Sequence, residues 1–132
     1  MSTLRLYAMF RLIDVLIDQR KWDDAQKLLK KKITLAASGQ SQVDGVTVID
    51  DTLLVAKVLF EKKDFTEAPL YARRARKDLK KAGLQDSHRS EEALLLLIKI
   101  CQSSGKQSDA DAYQAVHRQK FPTFNMGRMT LQ

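Results

Sequence analysis

His88, His117 and Cys101 are the side chains in this 132-residue chain best suited to nucleophilic or metal chemistry, and their spacing serves neither. No two of them stand at metal-ligand spacing. His88 falls in a loop and His117 in the last helix. Cys101 lies in an apolar helical run, where a cysteine acts as a small core residue. The five glycines are scattered as helix terminators and turn residues and form no phosphate loop. No catalytic residue, metal or cofactor is expected. What remains is charge. Lys27, Lys30, Lys31 and Lys32 form one basic cluster, and Arg73, Arg74, Arg76, Lys77, Lys80 and Lys81 a second, in a chain of net charge +7. Such clusters suit phosphate on RNA or an anionic membrane. They equally suit a solvated helix face near the negative end of the dipole, and the absence of an exposed aromatic series for stacking bases favours that plainer reading.

The elements that carry these charges are set by a period. Ala25, Ala68 and Ala110 follow one another at 43 and 42 residues, each directly after an acidic residue. Trp22 and Phe65 stand three residues before the first two, as core anchors. An apolar helical run precedes each alanine and a helix follows it, the pattern of a helical array. Counted back from the alanines, Asp14, Lys57 and Lys99 are equivalent, as are Asp18, Glu61 and Ser103, and Tyr7, Asp50 and Glu92. These positions lie seven and four residues apart, so they share one helix face. Polar groups recurring on otherwise apolar helices must reach water or a ligand. A local Lys57–Glu61 pair on a solvated wall is the plainer account.

Six helices are expected. The first spans about Thr3 to Gln19 and the second Trp22 to Ala37, with Gly39 as its left-handed terminator. Gln40 to Thr47 is a polar connection, and the third helix runs from Ile49 to Lys62. The fourth starts near Asp64, with Glu67 completing a capping box, and ends at Ala82 before Gly83. The fifth starts at Ser87 or Ser90 and ends before Gly105. Ser108 caps the sixth, which Pro122 stops near Phe121. Val46-Thr47-Val48-Ile49 is the one β-prone stretch, too isolated to build a sheet. Apolar stripes of Trp22, Ala25, Leu29, Ile33 and Ala36, and of Phe65, Ala68, Ala72, Ala75, Leu79 and Ala82, mark the buried faces of the second and fourth helices.

The segment from Val55 to Ala75, with Ala56, Leu59, Ala68, Ala72 and Ala75 at recurring small and apolar positions, resembles a tetratricopeptide repeat of the longer kinesin-light-chain type. The likeness is strong in the middle and weaker at the ends, where Ile13 and Ile98 replace the residue matching Ala56, and Lys32 and His117 that matching Ala75. It implies an all-α fold of three antiparallel helical hairpins stacked as a right-handed solenoid. The repeats are expected at about 3–38, 47–82 and 88–121 of a domain covering 1–121, with a tail at 122–132. It also implies that the first helix of each hairpin lines a concave groove and the second the convex side. The groove would then present Tyr7, Asp14, Asp18, Asp50, Lys57, Glu61, Glu92, Lys99 and Ser103, flanked by apolar Phe10, Leu53, Phe60 and Leu95. Asn125, the only asparagine, lies outside the array, so a carboxylate clamp of lysines and asparagines is not expected.

The expected function is a non-catalytic scaffold that binds a peptide or partner protein, with Lys57 and Lys99 favouring an acidic one. The alternatives are nucleic-acid or anionic-surface binding through the basic second helices, and self-association within a larger protein. The first helix favours self-association, being apolar around most of its circumference through Leu4, Leu6, Met9, Phe10, Leu12, Ile13, Leu16 and Ile17. A single cysteine and the lack of a secretion signal suggest a cytoplasmic setting. The longest apolar run, Ala93 to Ile98, is too short to cross a membrane.

Overall fold

The computed structural model describes residues 3–38 and 45–122, and these form six helices without a strand. They are α1 (Thr3–Asp18), α2 (Trp22–Ala37), α3 (Gly45–Glu61), α4 (Ala68–Lys81), α5 (His88–Ser103) and α6 (Gln107–Lys120). Each packs on its neighbour in the chain, and α3 also packs on α5. None of the described helices is long and apolar enough to cross a membrane.

The helix pairs α1–α2, α3–α4 and α5–α6 share one turn geometry. The residue five places before each key alanine is left-handed: Arg20 at φ 58°, Lys63 at φ 64° and Gly105 at φ 77°. The amide that follows donates back to a carbonyl five residues earlier, Lys21 to Leu16 at 2.8 Å, Asp64 to Leu59 at 2.9 Å and Lys106 to Cys101 at 2.8 Å. This is a Schellman closure, which satisfies carbonyls the helix end would otherwise orphan. Gly83 at φ 75° ends α4 in the same way, with Leu84 donating to Leu79 at 2.8 Å.

Ala25, Ala68 and Ala110 are fully buried, so the paired helices approach closely beside each turn. The core continues through Leu29, Val55, Leu59, Leu79, Leu97 and Ile100, all at 1 % exposure or less. Trp22 and Phe65 pack on this core but are only partly buried, the Phe65 ring standing 5.9 Å from that of Phe60. Ala82, placed on the α4 stripe by its spacing, is exposed.

Several expected boundaries move. The β-prone Val46–Ile49 is helical because Ile49, at 5 % exposure, joins the core, and burial outweighs local propensity. The α4 helix begins at Ala68, after a turn over 64–67. Pro69 has no amide to bond back to Phe65, which leaves that turn irregular. Asp64 Oδ1 still accepts the Glu67 amide at 3.2 Å, but the Asp64 amide is committed to Leu59, so the reciprocal half of a capping box is closed off. Ser87 caps α5 by accepting the Ser90 amide at 3.3 Å, which makes His88 the first helical residue instead of a loop residue. Ser108 lies inside α6, whose N-cap is Lys106. Gly39, most of the Gln40–Thr47 connection and nearly all of the tail lie outside the described residues.

A non-glycine residue at positive φ costs about 1–2 kcal/mol, so the three turns are unequal in strain. Lys63→Gly should raise the unfolding free energy by about 0.5–1 kcal/mol, and Gly105→Ala should lower it by about 1 kcal/mol. A Cβ at Gly105 meets nothing within 4 Å, so the effect there is backbone strain alone. Denaturant titration of the two variants tests this, and shifts of the same sign would contradict the shared turn.

Candidate functional site

Six of the proposed groove residues converge. Lys57, Phe60 and Glu61 of α3 and Glu92, Leu95 and Lys99 of α5, with Leu96 beneath, line an open cavity of about 290 Å³. The two helices pack side by side, which places positions spaced by seven and four on one wall each. Lys57 pairs with Glu92 across the helices, and this pair replaces the local Lys57–Glu61 pair as the use of Lys57. Lys99 Nζ lies 5.6 Å from the centre of the Phe60 ring. Beside the cavity, Asp50 accepts two bonds from Arg89, at 2.7 Å from Nε and 3.2 Å from Nη2. This fork fixes the start of α5 against α3.

Other proposed residues are elsewhere. Leu53 is 3 % exposed and belongs to the core, so it offers no groove contact. Ser103 is exposed near the end of α5 and does not line the cavity. Tyr7, Phe10, Asp14 and Asp18 sit on α1, which is held mainly through α2 and does not lie along α3 as α3 lies along α5. By position Asp14 is equivalent to Lys57, and Asp50 to Glu92. A cross-helix pair at the first joint would bring two carboxylates together, where the second joint has an ion pair.

The first joint has a different fastening. Lys32 is 5 % and Asp51 6 % exposed, and Lys32 Nζ lies 2.7 Å from Asp51 Oδ2. Lys32 also stands 5.5 Å from the centre of the Phe10 ring, joining α1, α2 and α3 at one point. Burial pushes the Asp51 carboxyl above its ordinary value, and the hydrogen bond from Lys32 offsets this only in part. Nearer the turn, Lys62 reaches Asp23 at 2.5 Å and Gln26 at 2.7 Å, and its hydrogen bond and charge hold the Asp23 carboxyl below the ordinary value. At the far end His117 Nε2 lies 3.0 Å from Glu91 Oε2, tying α6 to α5.

Sequence reasoning counted Lys32 among surface cations and passed over Asp51. The available signal was Lys32 at the position matching buried Ala75, which places a long cation on a core-facing row. Cys101 is buried, and burial pushes its thiol pKa up, away from the thiolate a nucleophile needs. Among the described residues no cluster of three His, Cys, Asp or Glu is placed to hold a metal ion. Comparison with protein-family models, curated proteins and solved structures finds no match for this chain.

Removing one partner of a buried ion pair strands the other. Lys32→Met should therefore cost about 3–5 kcal/mol at neutral pH. Losing Lys32 raises the folded pKa of Asp51 further above its unfolded value, so the penalty is full above the folded pKa and vanishes below the unfolded one. Acidification should recover part of the loss, and Asp51→Leu added to Lys32→Met should recover most of it at neutral pH. Urea denaturation across pH measures both effects. A pH-independent loss, or no rescue by the second substitution, would exclude an uncompensated carboxylate as the cause.

Proposed function

We propose that this chain is a non-catalytic protein-interaction module, a tetratricopeptide-like right-handed solenoid of three antiparallel hairpins, with a partner peptide lying over the α3–α5 cavity. The 43- and 42-residue spacing, the recurring turn and the side-by-side packing of α3 and α5 support this arrangement. The observation that carries the binding reading is the cavity itself, where consecutive first helices leave apolar and charged groups facing one opening. Leu95 is 47 % exposed there, an apolar side chain open to the cavity beside Phe60. Lys57 and Glu92 neutralise one another, while neither Glu61 nor Lys99 has an ion-pair partner among the described residues. The groove therefore suits a peptide that places an apolar side chain on Leu95 and Phe60 and a carboxylate beside Lys99. A buried free thiol suits a reducing, intracellular setting.

A second reading, self-association through α1, is favoured by a separate observation. Leu4 is 75 %, Tyr7 58 %, Leu12 50 % and Val15 47 % exposed. Apolar side chains gathered on one helix in this way mark an interaction surface.

Selection of peptides from a random library on the intact protein tests the groove. Leu95→Asp combined with Lys99→Glu alters two exposed side chains, so helicity and melting should persist while affinity for selected peptides falls about tenfold or more. Peptides that bind this variant as tightly as the parent would remove the groove from the function. Sedimentation over a wide concentration range tests the α1 surface. Association should appear in the parent and be abolished by Leu12→Glu with Val15→Glu, and a monomer throughout would refute it.

A further inference from the structure

Arg73, Arg76, Lys77 and Lys80 recur at three- and four-residue steps on α4 and face Lys120 of α6 across a cleft of about 320 Å³. No acidic residue lines this cleft, and it shares no residue with the α3–α5 cavity. None of Arg73, Lys77, Lys80 and Lys120 has a carboxylate within ion-pair distance among the described residues. Two cations of α2 do structural work. Lys32 is bonded to Asp51, and Lys30 lies over the Tyr71 ring at 5.4 Å. The α4–α6 set is left without counter-charge, although like charges three and four residues apart destabilise a helix. Proximity to a helix C-terminus accounts for Lys80 and for Lys120, the last residue of α6, but not for Arg73, Arg76 and Lys77.

Two further groups give the cleft character beyond charge. Tyr113 of α6 forms one wall, with the Arg76 guanidinium 6.0 Å from its ring centre, so that Arg76 is held in place. Gln85, from the α4–α5 turn, also lines the cleft, and its Oε1 is buried without a hydrogen-bond partner. A buried acceptor of this kind calls for a donor, and a ligand in the cleft supplies one once the amide turns outward. A ligand that satisfies the whole cleft therefore combines several phosphate groups with a free hydroxyl. Five cations balance about three phosphates at about −1.5 to −2 each. The cleft volume lies at the small end of ligand sites, about 300–1,000 Å³.

We propose that the α4–α6 cleft is a binding site for a multiply phosphorylated polyol of the inositol-phosphate class, held by Arg73, Arg76, Lys77, Lys80 and Lys120, with a ligand hydroxyl donating to Gln85. The phosphates take charge-assisted hydrogen bonds from the lysines and from the guanidinium edges. The polyol carries the hydroxyl that an inorganic polyphosphate lacks. The same headgroup is presented free in solution or on a lipid.

Calorimetric titration of the full chain at physiological salt, with inositol trisphosphate and tripolyphosphate as probes, tests the site. Inositol trisphosphate should bind at one site. Lys77→Glu with Lys80→Glu should weaken it by about tenfold or more, whereas Lys27→Glu with Lys31→Glu, the same charge change outside the cleft, should weaken it less than about twofold. If the charge reversal lowers helicity, Lys77→Gln with Lys80→Gln serves in its place. Gln85→Leu should weaken inositol trisphosphate and leave tripolyphosphate unaffected. Phosphatidylcholine vesicles with and without phosphatidylinositol bisphosphate distinguish the sources. Retention only on the phosphorylated vesicles assigns a lipid headgroup, and soluble binding without retention assigns a free ligand. Equal losses in the two double variants would reduce the effect to net charge and overturn the site, as would binding of single-stranded RNA without binding of inositol trisphosphate.

Discussion

Close approach of two helices beside a tight turn is the constraint on which everything else here depends. At Ala25, Ala68 and Ala110 no side chain larger than a methyl group separates the paired helices, and each alanine is fully buried. The left-handed residue five places earlier reverses the chain, and the bond closing from the next amide fixes where the second helix begins. The alanine amide then donates at 3.0 Å to the residue four places before it, in all three pairs. Turn and alanine act together: the turn sets the angle of departure, and the alanine permits the distance. A bulky residue at either partner of this contact would separate the helices and open the core along Leu29, Leu59 and Leu79.

The pairs are then joined by unlike means. The joint between the second and third pairs packs α5 on α4 and also on α3, with Asp50–Arg89 and Lys57–Glu92 across its open edge. These pairs are half-exposed and add little to stability, so they set the lateral position of the helices more than they hold them. The joint between the first two pairs packs α2 on α3 and adds one desolvated pair, Lys32–Asp51, and Lys62 bridging to Asp23 and Gln26. A buried pair contributes specificity of arrangement at a desolvation cost. The cavity lies at the first kind of joint, and only α3 and α5 line it.

How much of this was legible in the sequence follows from which signals are periodic. The helices and the buried alanine rows could be read because apolar residues recur at three- and four-residue steps. The centre of the candidate groove could be read because alignment on the alanines carries Lys57 and Lys99 to equivalent places. The turn could not. Gly105 signals a left-handed residue, but Arg20 and Lys63 occupy the same conformation with no glycine to announce it. Leu53 was misplaced because a residue flanking a polar stripe lies at the boundary where small rotations of the helix decide burial. Lys32 was misplaced because a run of three lysines, with Lys27 close by, reads as surface, and only the partner on α3 makes its burial tolerable.

The two surfaces proposed to bind ligands are supported by one helix. On one side α5 presents Glu92, Leu95 and Lys99 to the α3 cavity, and its buried Ser90 lies against the α4–α6 cleft. Arg89 anchors the start of α5 to α3 through Asp50, while Glu91, two residues on, anchors it to α6 through His117. Three consecutive residues, Arg89, Ser90 and Glu91, thus address three different neighbours. A rotation of α5 about its axis would alter the groove and the cleft together, because rigid helix packing transmits displacement from one face to the other. Yet the contacts that resist such a rotation are the half-exposed Arg89–Asp50 ion pair and the His117–Glu91 hydrogen bond at one end of the helix, and the packed residues Leu94, Leu97 and Ile100 along its length. The apolar row therefore sets the resting orientation. The charged end, open to solvent and to any bound ligand, is where that orientation is most readily biased.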